Sequence, residues 1–248
     1  MGAPFNRFPP VLFFPIHAII TVMTTTHPSD YQKQLETVLS SLQERKERPR
    51  LLLHACCAPC SSYVLEYLAD YFDITVFYYN PNIYPAEEYR RRLKELREFL
   101  PRFPPAQKAA VTLVEEAYEP ESFYRATNVL TEKELQTERE RGERCRRCYL
   151  LRMERAYRYA ANGGYSFFTT TLSISPFKDA HKINAIGRGL EQADSGKTLF
   201  LPSDFKKKNG FLRSLQISRE YGLYRQDYCG CLYSKQNTER ERSEKEGK

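Results

Sequence analysis

Seven cysteines fall in three tight groups and nowhere else along the 248 residues: Cys56, Cys57 and Cys60; Cys145 and Cys148; Cys229 and Cys231. A chain this long buries a sizeable core without covalent staples, so fold stability does not explain the grouping. Inert buried thiols would be scattered singly. Secreted disulfides fit poorly. The count is odd, and Cys56 and Cys57 stand about 3.8 Å apart at Cα across a trans peptide, below the usual window of roughly 4.4–6.8 Å. Metal is the reading that uses the spacing, since four thiolates close a tetrahedral zinc site or hold an iron–sulfur cluster. Cys145-Arg-Arg-Cys148 has zinc-knuckle spacing and so does Cys57-Ala-Pro-Cys60, which leaves zinc open. Consecutive Cys56 and Cys57 diverge, which suits two corners of a larger cluster better than one small ion. Arg144, Arg146 and Arg147 beside the second group would lower thiol pKa values and favour an anionic centre. In Cys229-Gly230-Cys231 the glycine lets the backbone bend so that sulfurs one residue apart can meet. That marks a labile redox pair or ligands of a second metal.

The apolar pattern sets the fold class. Helical spacing runs over residues 32–48, 61–72, 85–100, 145–162, 181–190 and 210–221. Short apolar or β-branched runs at 51–53, 74–79, 111–114, 165–171 and 198–201 read as strands, and 121–141 is charged and irregular. Strands alternating with helices imply β-α-β units, hence an α/β fold with a parallel sheet covered by helices on both faces. Chemistry in such folds gathers at strand carboxyl ends. The first cysteines, the Asn80-Pro81-Asn82 turn and residues 169–175 all fall there. A helical cysteine-bearing region around 145–162 adds to the sheet. No Gly-rich phosphate loop is present.

Residues 1–22 carry one charge and four prolines, which break any signal-peptide core. They read as a disordered leader or an over-extended start before Met23. Residues 23–233 read as one α/β catalytic domain, and 234–248 as a charged disordered tail. Mean hydropathy is −0.62 and no apolar run reaches about 18 residues, so no membrane partner is expected. Thirty-eight basic against 31 acidic residues leave a net charge of +7, which fits a polyanionic substrate. Candidate phosphate contacts are residues 90–92, 206–208 and Arg213.

The segments LLHACCAPCSSYVL (52–65), YNPNIY (79–84) with Glu88-Tyr89, CRRCYLLR (145–152), TTTLSISPFKDAHK (169–182), PSDFKK (202–207) with Gly210, and SREYGLYRQDYCGC (218–231) resemble the cobalamin-independent QueH-type epoxyqueuosine reductases. The resemblance runs from about residue 50 to 234. It implies a cytoplasmic bacterial oxidoreductase of tRNA modification with a Rossmann-like, HUP-type fold. Such an enzyme removes the epoxide oxygen of epoxyqueuosine at the wobble position to give queuosine, with electrons from a donor the motifs do not identify. It implies a [4Fe–4S] cluster on Cys56, Cys57, Cys145 and Cys148, a redox-active pair at Cys229 and Cys231, and an additional iron held partly by that pair. Position 60 is cysteine where some members carry aspartate, so the second metal's ligand set stays open.

Loss of the epoxide oxygen as water needs two electrons and two protons. A metal at Cys229, Cys231 and Cys60 would weaken the C–O bonds as a Lewis acid, which makes these three the catalytic candidates. A wobble base taken from its stack needs aromatic walls, so Tyr79, Asn80, Tyr84, Tyr89, Lys178, Asp179 and Lys206 are the candidate substrate contacts, with Tyr224 and Tyr228 beside the motifs. His54 reads as a packing residue, and His181 or Asp179 as a helix cap or a proton donor. The competing readings are a zinc-stabilised tRNA-binding module and an iron–sulfur tRNA thiolation enzyme; the latter usually needs a nucleotide-activating loop.

Overall fold

The computed structural model describes residues 30–194, 196 and 198–246. The expected leader and Met23 lie outside them. Helix α1 (Tyr31–Arg45) starts at Asp30, whose carboxylate accepts the Lys33 amide at 3.1 Å, an N-cap that satisfies one orphan donor. The chain then alternates as expected: β1 (Arg50–His54), α2 (Ala58–Leu68), β2 (Asp73–Tyr78), α3 (Ala86–Phe99), a short α4 (Pro104–Lys108) and β3 (Thr112–Glu115). Two short helices, α5 (Pro120–Thr127) and α6 (Glu134–Thr137), occupy the irregular stretch before α7 (Glu143–Asn162). β4 (Phe167–Thr170), a 3-10 turn (Thr171–Ile174), α8 (Ala180–Ala193), β5 (Leu199–Phe200), α9 (Gly210–Glu220) and α10 (Leu232–Glu246) complete it.

The five strands are all parallel, in the order β3-β2-β1-β4-β5. Side chains alternate across the sheet and so divide the core. Leu51, Leu53, Ile74, Val76, Phe167 and Leu199 pack on one face with Leu35 and Leu39 of α1, Val64 and Leu65 of α2, and Ile217 of α9. Leu52, Phe77, Phe168 and Phe200 pack on the other with Tyr149, Met153 and Ala156 of α7 and Ile183 of α8. The fold is thus α/β and Rossmann-like with both faces covered. The chain winds outward from β1 through β2 to β3, then returns to place β4 against the other side of β1. That reversal opens a crevice at the carboxyl ends of β1 and β4, which emit residues 55–60 and 171–174.

The segment expected as a disordered tail carries helix α10 from Leu232 to Glu246. Its first turn is anchored by buried Cys231, Tyr233 and Ser234, with the Ser234 hydroxyl donating to the Cys231 carbonyl at 2.9 Å. Asn237 adds a bond to the Glu138 carbonyl at 3.3 Å. Charge composition foretold the solvated outer turns but not this anchor.

Gly187 of α8 lies against β5, where an added Cβ would stand 2.4 Å from the Phe200 ring. Overpacking of a filled core costs about 1–3 kcal/mol. Gly187→Ala is expected to lower unfolding stability by that amount, read as a reduced urea midpoint at unchanged m-value; an unchanged midpoint would contradict the packing described.

Candidate functional site

β1 ends by delivering Cys56 and Cys57 to the crevice. Cys57 is the N-cap of α2 and Cys60 stands in its first turn. The three sulfurs lie within 4.8 Å of one another, a spacing that fits metal ligation, with Cys56 and Cys57 at 3.8 Å. Cys60, assigned by the sequence to a zinc knuckle with Cys57 or to a second metal, thus stands within ligating distance of Cys56 and Cys57. Cys145 and Cys148 lie in the first two turns of α7, so both groups sit at helix N-termini, where partial positive charge favours thiolates. Cys229 and Cys231 precede α10. All seven thiols are unpaired, and no disulfide joins Cys229 to Cys231.

The groups converge on a few buried cations. Arg152, one turn beyond Cys148 on α7, is 2% exposed. The thiols of Cys148, Cys56 and Cys229 all lie in its field. Asn80 holds it: Arg152 Nη2 donates to Asn80 Oδ1 at 2.5 Å, and Asn80 Nδ2 donates to the Ala55 carbonyl at 2.9 Å. Arg152 Nε and Arg92 Nη2 are buried without a hydrogen-bond partner. Arg92 pairs with Glu88 at 2.6 Å and donates to the Cys229 carbonyl at 3.2 Å. Gly230, between the last two cysteines, adopts φ +130, and a Cβ there would meet Arg92 Nη1 at 3.1 Å and Ile83 at 3.2 Å. Its carbonyl accepts the Tyr84 amide at 2.7 Å. Only glycine combines that backbone with that approach.

These contacts decide the thiol chemistry. Hydrogen bonds from Cys57 and Cys60 pull the Cys56 pKa well below that of a free thiol, against burial, with Lys178 and Arg152 adding attraction. The same bonds raise Cys57, and bonding to Cys56 pushes Cys60 to about 12. Within the trio Cys56 is thus the thiol most disposed to ionise. Burial pushes Cys145 and Cys148 to about 12 each. Buried cations short of carboxylate partners cost several kcal/mol unless an anion faces them, so the donor set and its surroundings fit an anionic, thiolate-ligated centre.

Cys56, Cys57, Cys60 and Cys229 line one cavity of about 600 Å³ together with Arg92, Lys178 and Tyr228. That size suits a small-molecule or single-nucleotide site. A smaller cavity of about 260 Å³ beside Arg97 and Leu113 has no thiol in its wall.

The family model for epoxyqueuosine reductase QueH matches residues 51–237. The chain belongs to the QueH family of epoxyqueuosine reductases. Relatives bearing that name are 40% identical over 205 residues in Staphylococcus epidermidis, covering 83% of this chain and 84% of the relative, and 36% over 219 residues in Streptococcus pyogenes, covering 88% and 83%. One from Thermotoga maritima is 32% identical over 184 residues, 74% of this chain and 89% of the relative. Membership in the QueH family and the thiol trio together fit a metal cofactor. Among the described residues no helix is long and apolar enough to cross a membrane.

The other residues singled out in the QueH-like motifs divide sharply. Lys178 lines the cavity, and Tyr84 supports its wall by accepting the Tyr228 hydroxyl at 2.5 Å. Asn80 is buried behind it as the Arg152 anchor. Tyr79 is buried in the α7-side core, and Tyr89 stacks on Tyr118 at 4.2 Å while donating to the Glu116 carbonyl. Asp179 caps α8 through the Lys182 amide at 3.1 Å, and Lys206 pairs with Asp204 at 2.5 Å. His181 meets the Tyr31 hydroxyl at 3.4 Å. Much of the basic surface is also committed: Arg90 to Glu87, Arg213 to Glu66 and Lys208 to Glu36. Arg91 lies over the Tyr224 ring, 3.3 Å from its centroid.

The arginines flanking Cys145 do not serve its thiol. Arg146 and Arg147 pair with Glu143, and Arg147 also with Glu132. Arg144 donates to the carbonyls of Leu135, Gln136 and Glu138. Arg152 is the cation sequence reasoning passed over. Its signal was the spacing, since it stands four residues beyond Cys148 on one helix face.

His54 lies between the strands. Its Nε2–H donates to the Tyr79 carbonyl at 3.1 Å, which leaves Nδ1 to accept from Thr170 Oγ1 at 2.8 Å. Burial, with Arg152 nearby, lowers its pKa from 6.5 to about 3. The unfolded chain therefore takes up a proton that the native chain refuses. His54 thus removes stability progressively as pH falls below the unfolded value of roughly 6.5, by up to about 1.4 kcal/mol per pH unit. Urea unfolding at pH 7 and pH 5 is expected to show a shallower pH dependence for His54→Gln than for the unsubstituted protein; equal slopes would mean that the ring titrates alike in the native and unfolded chains.

Proposed function

We propose that this chain is a cytoplasmic epoxyqueuosine reductase that removes the epoxide oxygen of epoxyqueuosine at the wobble position of tRNA. The observation that carries the reading is the single cavity into which Cys56, Cys57, Cys60 and Cys229 open beside buried Lys178 and Arg92. A thiolate-held metal centre and a pocket of nucleotide size thus share one wall.

The residues proposed to hold a [4Fe–4S] cluster are Cys56, Cys57, Cys145 and Cys148, with Cys229, Cys231 and Cys60 left for an additional iron or a dithiol. When bound, the cluster supplies electrons one at a time, and a second iron or a dithiol supplies the other half of a two-electron reduction. Balance requires two electrons and two protons per epoxide, with release of one water and formation of a carbon–carbon double bond.

The chain's own groups prepare the site. Arg152, fixed by Asn80, offsets thiolate charge from the interior. Arg92, fixed by Glu88, holds the Cys229 carbonyl and so aims that thiol at the cavity. Cys231 is not part of the cavity wall and packs beside Cys148, Phe123 and Val129. Exposed Phe177, with two-thirds of its surface open at 66%, stands at the cavity rim as a platform for a flipped base or its neighbour.

Anaerobic reconstitution with iron and sulfide, a reductant, and epoxyqueuosine-containing tRNA is expected to give tRNA lighter by one oxygen atom in nucleoside mass spectrometry. Cys229→Ala is expected to abolish turnover while the broad absorbance near 400 nm persists. A colourless zinc protein that binds tRNA without mass change would favour a non-catalytic module, and loss of the chromophore in Cys229→Ala would reject the separation of cluster ligands from the 229–231 pair.

A further inference from the structure

Lys178 is 8% exposed, yet its side chain makes no ion pair or hydrogen bond among the described residues. It is held rigidly. Its amide bonds the Ser175 carbonyl at 3.2 Å, and the next residue caps α8. The side chain faces the cavity, and an ammonium largely withdrawn from water is costly unless an acceptor meets it. Glu140 shares the cavity wall but does not pair with it.

Most of the other buried or half-buried donors of the wall are engaged, while Arg139 is exposed at its edge. Ser214 donates to the Phe211 carbonyl at 2.7 Å, Gln226 to the Tyr224 carbonyl at 3.1 Å, and Tyr228 to the Tyr84 carbonyl at 2.5 Å. Arg92 is committed to Glu88 and to the Cys229 carbonyl, and Arg225 to Ser218 at 3.1 Å. Arg152 serves the thiols from behind and does not reach the cavity surface. Arg92 keeps one nitrogen unclaimed but is tied to Glu88 and the Cys229 carbonyl, whereas the Lys178 ammonium has no hydrogen bond at all among the described residues and stands beside the thiols of Cys229, Cys56 and Cys60.

On the reading of the site as an epoxide reductase, we propose that Lys178 Nζ is a catalytic hydrogen-bond donor to the epoxide oxygen of the substrate. Both C–O bonds of the epoxide break, and negative charge builds on the oxygen as they do. Two electrons come from the enzyme's reductant and two protons from solvent, and the oxygen leaves as water. A preorganised ammonium in a site shielded from water stabilises that charge more than it stabilises the uncharged ether.

The test uses full-length enzyme reconstituted anaerobically, as unsubstituted protein, Lys178→Met and Lys178→Arg. Methionine keeps the length and apolar stem but removes the charge and the donor. Expected for Lys178→Met are a kcat at least about 100-fold lower, a KM for epoxyqueuosine-containing tRNA within about threefold, tRNA affinity by fluorescence anisotropy unchanged, and iron and sulfide content equal to the unsubstituted protein. Lys178→Arg is expected to recover at least about tenfold in kcat over Lys178→Met, because it restores a charged donor. Loss of iron from Lys178→Met would overturn the proposal, making Lys178 a counter-ion of the metal centre. Weaker tRNA binding with unchanged kcat would overturn it in favour of a phosphate contact, and full activity would remove any role. Inactivity of the unsubstituted protein would instead overturn the reductase reading itself.

Discussion

Positive charge withdrawn from water beside sulfur is the constraint around which this molecule is arranged. Arg92 and Arg152 are each 2% exposed. Only Arg92 has a carboxylate against it, and both keep a buried nitrogen without a partner. A fold does not keep such groups for stability, since apolar side chains of the same volume would serve better. The groups that face them are thiols, a donor set that fits an anionic metal centre. Hydrogen bonds from Cys57 and Cys60, with smaller help from Lys178 and Arg152, lower the Cys56 pKa while those of its two neighbours rise.

Topology delivers those partners. The return of the chain from β3 to β4 leaves the carboxyl ends of β1 and β4 side by side, and Cys56 comes within 3.9 Å of Thr171 across that seam. Helix α7 crosses one face of the sheet with its N-terminus over the crevice and brings Cys145, Cys148 and Arg152 at helical spacing. The Cys229–Cys231 loop closes the site from the far end of the sequence. Its glycine permits both the left-handed turn and the approach to Arg92. The last helix then locks the loop, which gives a segment that looks like a tail a place in the site.

Much of this was legible in advance. The strands and helices followed from apolar periodicity, because burial on both faces of a parallel sheet writes near-continuous apolar runs between amphipathic helices. The grouping of the cysteines pointed to metal, and the structure brings Cys56, Cys57 and Cys60 within ligating distance of one another. Charge was read less well. Arg144, Arg146 and Arg147 looked like companions of the Cys145 thiol, yet their carboxylate and carbonyl partners lie at 127–143. The basic runs at 90–92 and 206–208 looked like phosphate contacts, and the structure ties Arg92, Lys206 and Lys208 to acidic residues. A guanidinium's partner is a question of three-dimensional neighbours, which local sequence does not state.

The sequence by itself determined the sheet and the order of its elements, since hydrophobic period and residue spacing are local quantities. Only the tertiary structure decided which cation meets which anion, that Tyr79 and Tyr89 serve the core while Lys178 faces a cavity, and that Asn80 acts through Arg152. Those outcomes depend on distances between segments far apart in the chain, where the strength of a charge or hydrogen bond is set by burial and geometry rather than by residue type.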